Sequence, residues 1–194
     1  MLKDININSL ELLGYGVHGK AYSFGDKVLK ITNREDEYYA ALKLIQNPRY
    51  WSCLIYEAEK EAGKYFILEE KVELIDFKEN HLTYPGNFMG IKYDTGEFSR
   101  IATRPVDLSL GYFFENNSEK CEIVRFTDNQ VDLLAELYTN ELQKRCYKWF
   151  VKAFWDVIEF GFDTSDLWNN IGINNDGSFV FFDLMIKHPG DQAG

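Results

Sequence analysis

Near the start of the sequence stand Gly14-Tyr15-Gly16-Val17-His18-Gly19-Lys20-Ala21-Tyr22, then Phe24-Gly25-Asp26, then Val28-Leu29-Lys30-Ile31. Apolar runs at Leu10–Leu13 and Lys27–Ile31 flank the glycines, and Phe24-Gly25-Asp26 is a tight-turn signal. A dinucleotide-binding glycine loop has a strand before it and a helix after it. Here strand-like residues lie on both sides, which predicts a glycine-rich turn between antiparallel strands. Such a turn can lay backbone N–H groups over phosphates. Lys30 sits inside an apolar strand pattern, where burial requires a paired charge unless the side chain turns outward.

Outward from this stretch, Tyr38, Ala41, Leu42 and Ile45 recur at helical spacing and predict a helix over 34–46, stopped by Asn47-Pro48. Leu54-Ile55-Tyr56 and Tyr65-Phe66-Ile67-Leu68 flank the polar turn Lys60-Glu61-Ala62-Gly63 and predict a hairpin. Residues 76–126 carry turn signals at Pro85-Gly86, Thr95-Gly96 and Asn116-Asn117 but no clear element order. Thr127-Asp128 opens a helical pattern running through Val131, Leu134, Leu142, Phe150, Phe154 and Val157, with a break expected between 138 and 146 and a stop at Gly161. The aromatic residues Trp149, Phe150, Phe154, Trp155 and Phe160 read as core at helical spacing rather than as a ligand cage. Asn170–Ile173 and Phe179–Phe182 predict two short strands joined by Asn174-Asn175-Asp176-Gly177. Strands first and helices second indicate an α+β chain with two lobes, expected at 1–75 and 76–194.

Composition limits the function classes. Of 194 residues, 45% are hydrophobic and 16% aromatic, enough for a sizeable core and against disorder. The formal net charge is −10, with no Lys/Arg run, so direct binding to nucleic acid is not expected. An acidic surface can still engage a basic protein. The three cysteines, Cys53, Cys121 and Cys146, form no CxxC pair, which argues against a disulfide framework or a structural zinc. No signal-peptide pattern opens the sequence, and no apolar run approaches the roughly 18 residues of a membrane helix. The expectation is a cytoplasmic protein without membrane contact.

Phe162-Asp163-Thr164-Ser165-Asp166-Leu167-Trp168-Asn169-Asn170-Ile171-Gly172-Ile173, followed by Phe179-Val180-Phe181-Phe182-Asp183-Leu184, carries the remaining chemistry. Phosphoryl transfer needs metal ligands near a triphosphate and a residue that orients the attacking hydroxyl. Asn170 at a strand start and Asp183 at the end of the paired strand can converge on one Mg2+, which prefers oxygen donors. Asp166 or Asp163 would orient the nucleophile.

Glycine loop, strand lysine, helix, hairpin, helices, Asp-rich loop, Asn, hairpin and Asp follow one another in the order of a protein-kinase fold. In this order the chain resembles the protein-kinase-like superfamily over nearly its whole length, and most nearly the small serine/threonine kinases of tailed phages. The resemblance implies a two-lobed minimal kinase fold, ATP and Mg2+, and transfer of the γ-phosphoryl group to Ser/Thr hydroxyls of a protein substrate. A phage-encoded kinase would act on host proteins in the host cytoplasm. The resemblance assigns Gly14, Gly16 and Gly19 to the phosphate loop and Lys30 to the α- and β-phosphates. Glu37 or Glu35 would pair with Lys30, Glu37 being deeper in the helix. Glu69, Glu70, Lys71 and Val72 become hinge candidates whose backbone would bind adenine. Asn170 and Asp183 would hold the metal.

Two departures stand out. The usual spacing puts the catalytic aspartate five residues before the metal asparagine, and that position holds Ser165. Asp166 is four before Asn170 and Asp163 seven; Asp166 keeps the Asp-Leu pair. Asp183-Leu184-Met185 replaces the usual Asp-Phe-Gly, and the eleven residues after it leave no room for an activation segment. A kinase-fold binding protein that inhibits a host enzyme by contact is the alternative reading. A small-molecule phosphotransferase is the third.

Overall fold

A computed structural model describes residues 1–75, 90–94, 99–103, 121–124, 127–136, 138, 140–163, 167 and 170–186. The chain is of mixed α+β type. It divides into two compact units: one contains the described residues of 1–75 and 170–186, the other those of 76–169.

The first unit is organised by a five-stranded antiparallel sheet. Its strands are β1 (Leu12–Tyr15), β2 (Gly19–Phe24), β3 (Lys27–Thr32), β4 (Ile55–Glu61) and β5 (Lys64–Glu70), in spatial order β1-β2-β3-β5-β4. Local turn chemistry fixes two of the connections. Phe24 pairs with Lys27 around Gly25, whose φ of 65° fills the first central position of a two-residue turn, the place a type II′ turn gives to glycine. Glu61 pairs with Lys64 around Ala62 and Gly63, both at positive φ (48° and 75°), as a type I′ turn requires.

Register decides what each face of the sheet carries. Tyr22, Leu29, Ile31, Phe66 and Leu68 share one face. There they pack with Leu2, Ile5, Ile7 and Leu10 of the N-terminal segment around a buried core. Ala21, Val28, Lys30, Ile67 and Glu69 share the other face. Helix α1 (Glu35–Gln46) packs against β4 and β5. Its buried stripe is Asp36, Glu37, Ala40, Ala41 and Leu44, rotated from the expected Tyr38, Leu42 and Ile45, which are only half-buried.

The terminal hairpin is built onto this same unit. Its strands are β10 (Ile171–Ile173) and β11 (Phe179–Phe181), and β10 also pairs with β6 (Glu73–Leu74). Phe181 N–H donates to the Trp51 carbonyl (2.7 Å), and Cys53 N–H donates to the Phe181 carbonyl (2.8 Å). These long-range pairings, which no local pattern announces, are why the hairpin goes with residues 1–75. Gly172 is required here by space: a Cβ would lie 2.7 Å from Val72 Cγ2 and 3.1 Å from the Glu73 carbonyl.

The second unit contains a three-stranded antiparallel sheet of β7 (Gly90–Asp94), β8 (Ser99–Thr103) and β9 (Cys121–Val124), with β7 central. It also contains helices α2 (Asp128–Ala135) and α3 (Glu141–Glu159). A capping box opens α2: Thr127 N–H donates to Gln130 Oε1 (2.9 Å), and Gln130 N–H donates to Thr127 Oγ1 (3.4 Å). Asn140 caps α3 by accepting from Leu142 N–H (2.8 Å). Gly161, at φ 81°, closes α3 with bonds from Gly161 to Ile158 and from Phe162 to Val157, the paired pattern of a Schellman stop. Cys146, Tyr147, Phe150, Ala153, Phe154 and Val157 are buried along α3. Among the described residues no helix is long and apolar enough to cross a membrane.

Candidate functional site

Lys30 and Asp183 stand 153 positions apart in sequence, and their side chains meet in an ion pair. Glu37 Oε2 lies 2.7 Å from the same Lys30 ammonium. Strand β3 supplies the lysine, the first turn of α1 supplies the glutamate, and the residue group after β11 supplies the aspartate. The helix start is itself fixed: Thr32 Oγ1 accepts from Arg34 N–H (3.1 Å), and Asp36 accepts from Arg34 and from Glu37 N–H (3.0 Å). Burial pushes the Asp36 carboxyl up, but the Arg34 hydrogen bond and charge, with backbone N–H bonds, outweigh it and hold the carboxyl below its usual range. Glu35, the other helix candidate, instead receives Lys60 (2.9 Å) and the Tyr65 hydroxyl (3.2 Å).

Exposure separates the two carboxylates on Lys30. The Glu37 side chain is 6% exposed and that of Asp183 is 41% exposed. Asp183 can therefore turn toward a ligand without disturbing the buried Lys30–Glu37 pair. Asp183 also has a φ of 55°, in the left-handed region that a non-glycine residue occupies at a cost of about 1–2 kcal/mol. The surroundings hold this geometry in place. Phe182 N–H donates to the Asn170 carbonyl (3.0 Å), and Ile186 N–H donates to the Asp36 carbonyl (3.4 Å).

A small pocket surrounds these groups, walled by Ala41, Leu44, Ile55 and Ile67 and entered by Glu69 and Cys53. One ammonium thus faces three carboxyl groups. Burial, with the nearby Glu37 charge and against the pull of Lys30, pushes the Glu69 carboxyl up to about 7. A carboxyl with a raised folded-state pKa favours the folded state while protonated. That contribution is full below the ordinary 4.5 and is lost as pH rises to about 7. Glu69→Gln is therefore expected to raise the melting temperature relative to wild type above pH 7 and to match it below pH 4.5. The expected gain is on the order of 2 kcal/mol, because the side chain keeps part of its hydration. Parallel thermal melts over this range check it. Burial also pushes the Cys53 thiol well up, with Glu69 and Glu70 adding to it, so this is an inert thiol.

The glycine-rich turn lies along the same sheet. Gly14 pairs with Ala21 and Ala21 with Lys30, so a row of small residues leads to the lysine. Gly16 N–H donates to the Gly19 carbonyl (2.9 Å) to close the turn. The three glycines differ in what they need. A Cβ at Gly19 would lie 2.5 Å from the Ile31 carbonyl oxygen and 3.2 Å from Thr32 Cα, both backbone. A Cβ at Gly14 or Gly16 would meet nothing within 4 Å, and neither has a positive φ. Gly19→Ala is expected to cost about 1–3 kcal/mol through overpacking, whereas Gly14→Ala and Gly16→Ala are expected to be neutral or stabilising by up to about 1 kcal/mol. Urea melts of the three variants check this.

Of the hinge candidates, Glu69 and Glu70 end β5, and Glu70 N–H is committed to the Leu54 carbonyl (2.8 Å). Lys71 and Val72 lie between β5 and β6, with Val72 against Gly172. Asn170 sits across the hairpin from Phe182, the residue that precedes Asp183 in sequence. Asp163 lies in the second unit, after α3. Asp166 lies outside the described residues.

Asn170 and Asp183 offer an amide oxygen and a carboxylate, hard donors of the kind Mg2+ takes. Among the described residues no three His, Cys, Asp or Glu side chains gather as a metal cage. A magnesium ion here would complete its shell with phosphate oxygens and water, its usual habit at nucleotide sites. The donor types present, an amide oxygen and a carboxylate, suit that ion.

Sequence reasoning missed the side chain of Glu69 and the anchoring by Trp51. Strand periodicity holds the signal for the first, since Ile67 and Glu69 share a face with Lys30. Nothing local announces the second. No protein-family model matches the sequence, and no curated protein matches it.

Proposed function

We propose that this chain is an ATP-dependent phosphotransferase of two-lobed, minimal protein-kinase-like fold that transfers the γ-phosphoryl group to Ser/Thr hydroxyls of a protein substrate. The observation that carries the reading is the Lys30 ammonium held between buried Glu37 and exposed Asp183 on the sheet face reached by the glycine-rich turn. In this reading Glu37 aims Lys30 at the α- and β-phosphates, where a fixed positive charge stabilises the charge that develops. Asp183 and Asn170 hold the magnesium, which neutralises phosphate charge. Gly14 and Gly16, required neither by φ nor by packing, leave room for phosphates to approach the backbone. Ala21 and Val28, half-buried on the Lys30 face, offer an apolar surface for the base. Asp166 or Asp163 orients the substrate hydroxyl.

The test is incubation with γ-labelled ATP and Mg2+, alone and with a cell lysate, for wild type, Lys30→Ala and Asp183→Ala. Label on protein bands that disappears in both variants supports the proposal, and Asp163→Asn and Asp166→Asn then assign the base. Label that persists in Lys30→Ala and Asp183→Ala overturns the site assignment. Nucleotide binding without label would favour a kinase-fold protein that acts by contact.

A further inference from the structure

A second concave site lies on the opposite face of the five-stranded sheet, independent of the nucleotide reading. Its volume is about 280 Å³. Tyr22, Ile31 and Phe66 form the floor, and Ile7 of the N-terminal segment forms a wall. The register sets Lys20, Ile31 and Phe66 in one row across β2, β3 and β5, so the floor is a property of the pairing. His18, Lys20 and Lys64 stand exposed at its rim.

The charge of this site is contrary to that of the chain. No carboxylate lines it, although the chain carries a net charge of −10. Among the described residues neither Lys20 nor Lys64 has an ion-pair partner. The acidic residues beside it on the same face are engaged by another cation. Glu59, opposite Phe66, accepts from Lys3 N–H (3.1 Å), and Glu61, opposite Lys64, pairs with the Lys3 ammonium (3.3 Å). Glu57 stands opposite Leu68 and does not line the pocket. An apolar floor rimmed by lysines that hold no ion pair matches an apolar group flanked by negative charge. The volume is at the bottom of the range for drug-sized ligands and suits the anchoring side chain of a larger partner.

We propose that this pocket docks an acidic segment of a partner protein through one aromatic or large aliphatic side chain, with Lys20, Lys64 and His18 receiving the flanking carboxylates. Elsewhere the acidic surface repels such a segment, so the pocket also confines where it lands.

The probe is a short dye-labelled, glutamate-rich peptide with one central phenylalanine, followed by fluorescence anisotropy at low ionic strength. Binding is expected to weaken at least tenfold in the double variant Lys20→Glu/Lys64→Glu, and comparably when the peptide phenylalanine becomes alanine. Lys64→Glu faces Glu61 across the hairpin and should lower the melting temperature slightly, whereas Lys20→Gln/Lys64→Gln, which adds no like charge, should keep the wild-type melting temperature and still weaken binding. The proposal is overturned if the peptide does not bind, if charge reversal leaves its affinity unchanged, or if the phenylalanine-free peptide binds equally well. Binding of anionic lipid vesicles without binding of the peptide also overturns it, since the partner would then be a membrane surface.

Discussion

Lys30→Ala is expected to lower phosphoryl transfer by about a hundredfold to a thousandfold, the usual loss when one aimed electrostatic group is removed from a reacting centre. The change acts on two levels. It removes the charge that would meet the phosphates, and it leaves Glu37, only 6% exposed, with Arg34 as its counter-ion, Nε 3.8 Å from Oε1. Breaking a buried pair from one side costs about 3–5 kcal/mol where no other partner remains; with Arg34 still in place the single variant is expected to lose about 1–3 kcal/mol. Lys30→Ala/Glu37→Gln separates the two effects. Removing the excess buried charge should restore most of the melting temperature and none of the transfer. Transfer rates and melts on the two variants check this. Recovery of transfer in the double variant would mean that Lys30 serves the fold alone.

Trp51→Ala should give the largest loss of stability, about 3–5 kcal/mol, as expected for truncating a fully buried tryptophan. The side chain is 1% exposed, and its segment brackets Phe181 from both sides with backbone hydrogen bonds. Domains of this size have only about 5–15 kcal/mol to lose, so the variant will sit near its unfolding threshold at ordinary temperature. The effect should reach the site. Phe181 is two residues before Asp183, and the strained backbone of Asp183 depends on neighbours that hold it. Urea titration gives the stability loss. Trp51→Phe, which refills most of the space, should recover much of it.

What the sequence revealed follows from how local each cause is. The Gly25, Gly63 and Gly177 turns, the Thr127 capping box and the Gly161 stop are decided by a few neighbouring residues. Each could be read directly. The attachment of the terminal hairpin to Trp51–Cys53 and to β6 rests on pairings between distant segments, which periodicity does not encode. The choice between Glu35 and Glu37 was open for the same reason. Both lie in the first turn of α1, and only the placement of Lys60 on β4 shows where Glu35 goes. A glutamate near a strand end is ordinarily solvated, so the sequence points only to the backbone of Glu69; its pocket-facing side chain follows from register with Val28. The buried stripe of α1 is rotated by a fraction of a turn from the apolar spacing, since it includes two acids, Asp36 and Glu37, that no hydrophobic pattern counts.

Calorimetric titration of ATP with Mg2+ into wild type and Lys30→Ala/Glu37→Gln reads the site without requiring a phosphoacceptor. Saturable one-to-one binding to wild type and at least tenfold weaker binding to the double variant are expected, with both proteins folded. Absence of binding to wild type, or equal affinity in the two proteins, would contradict the proposed nucleotide site.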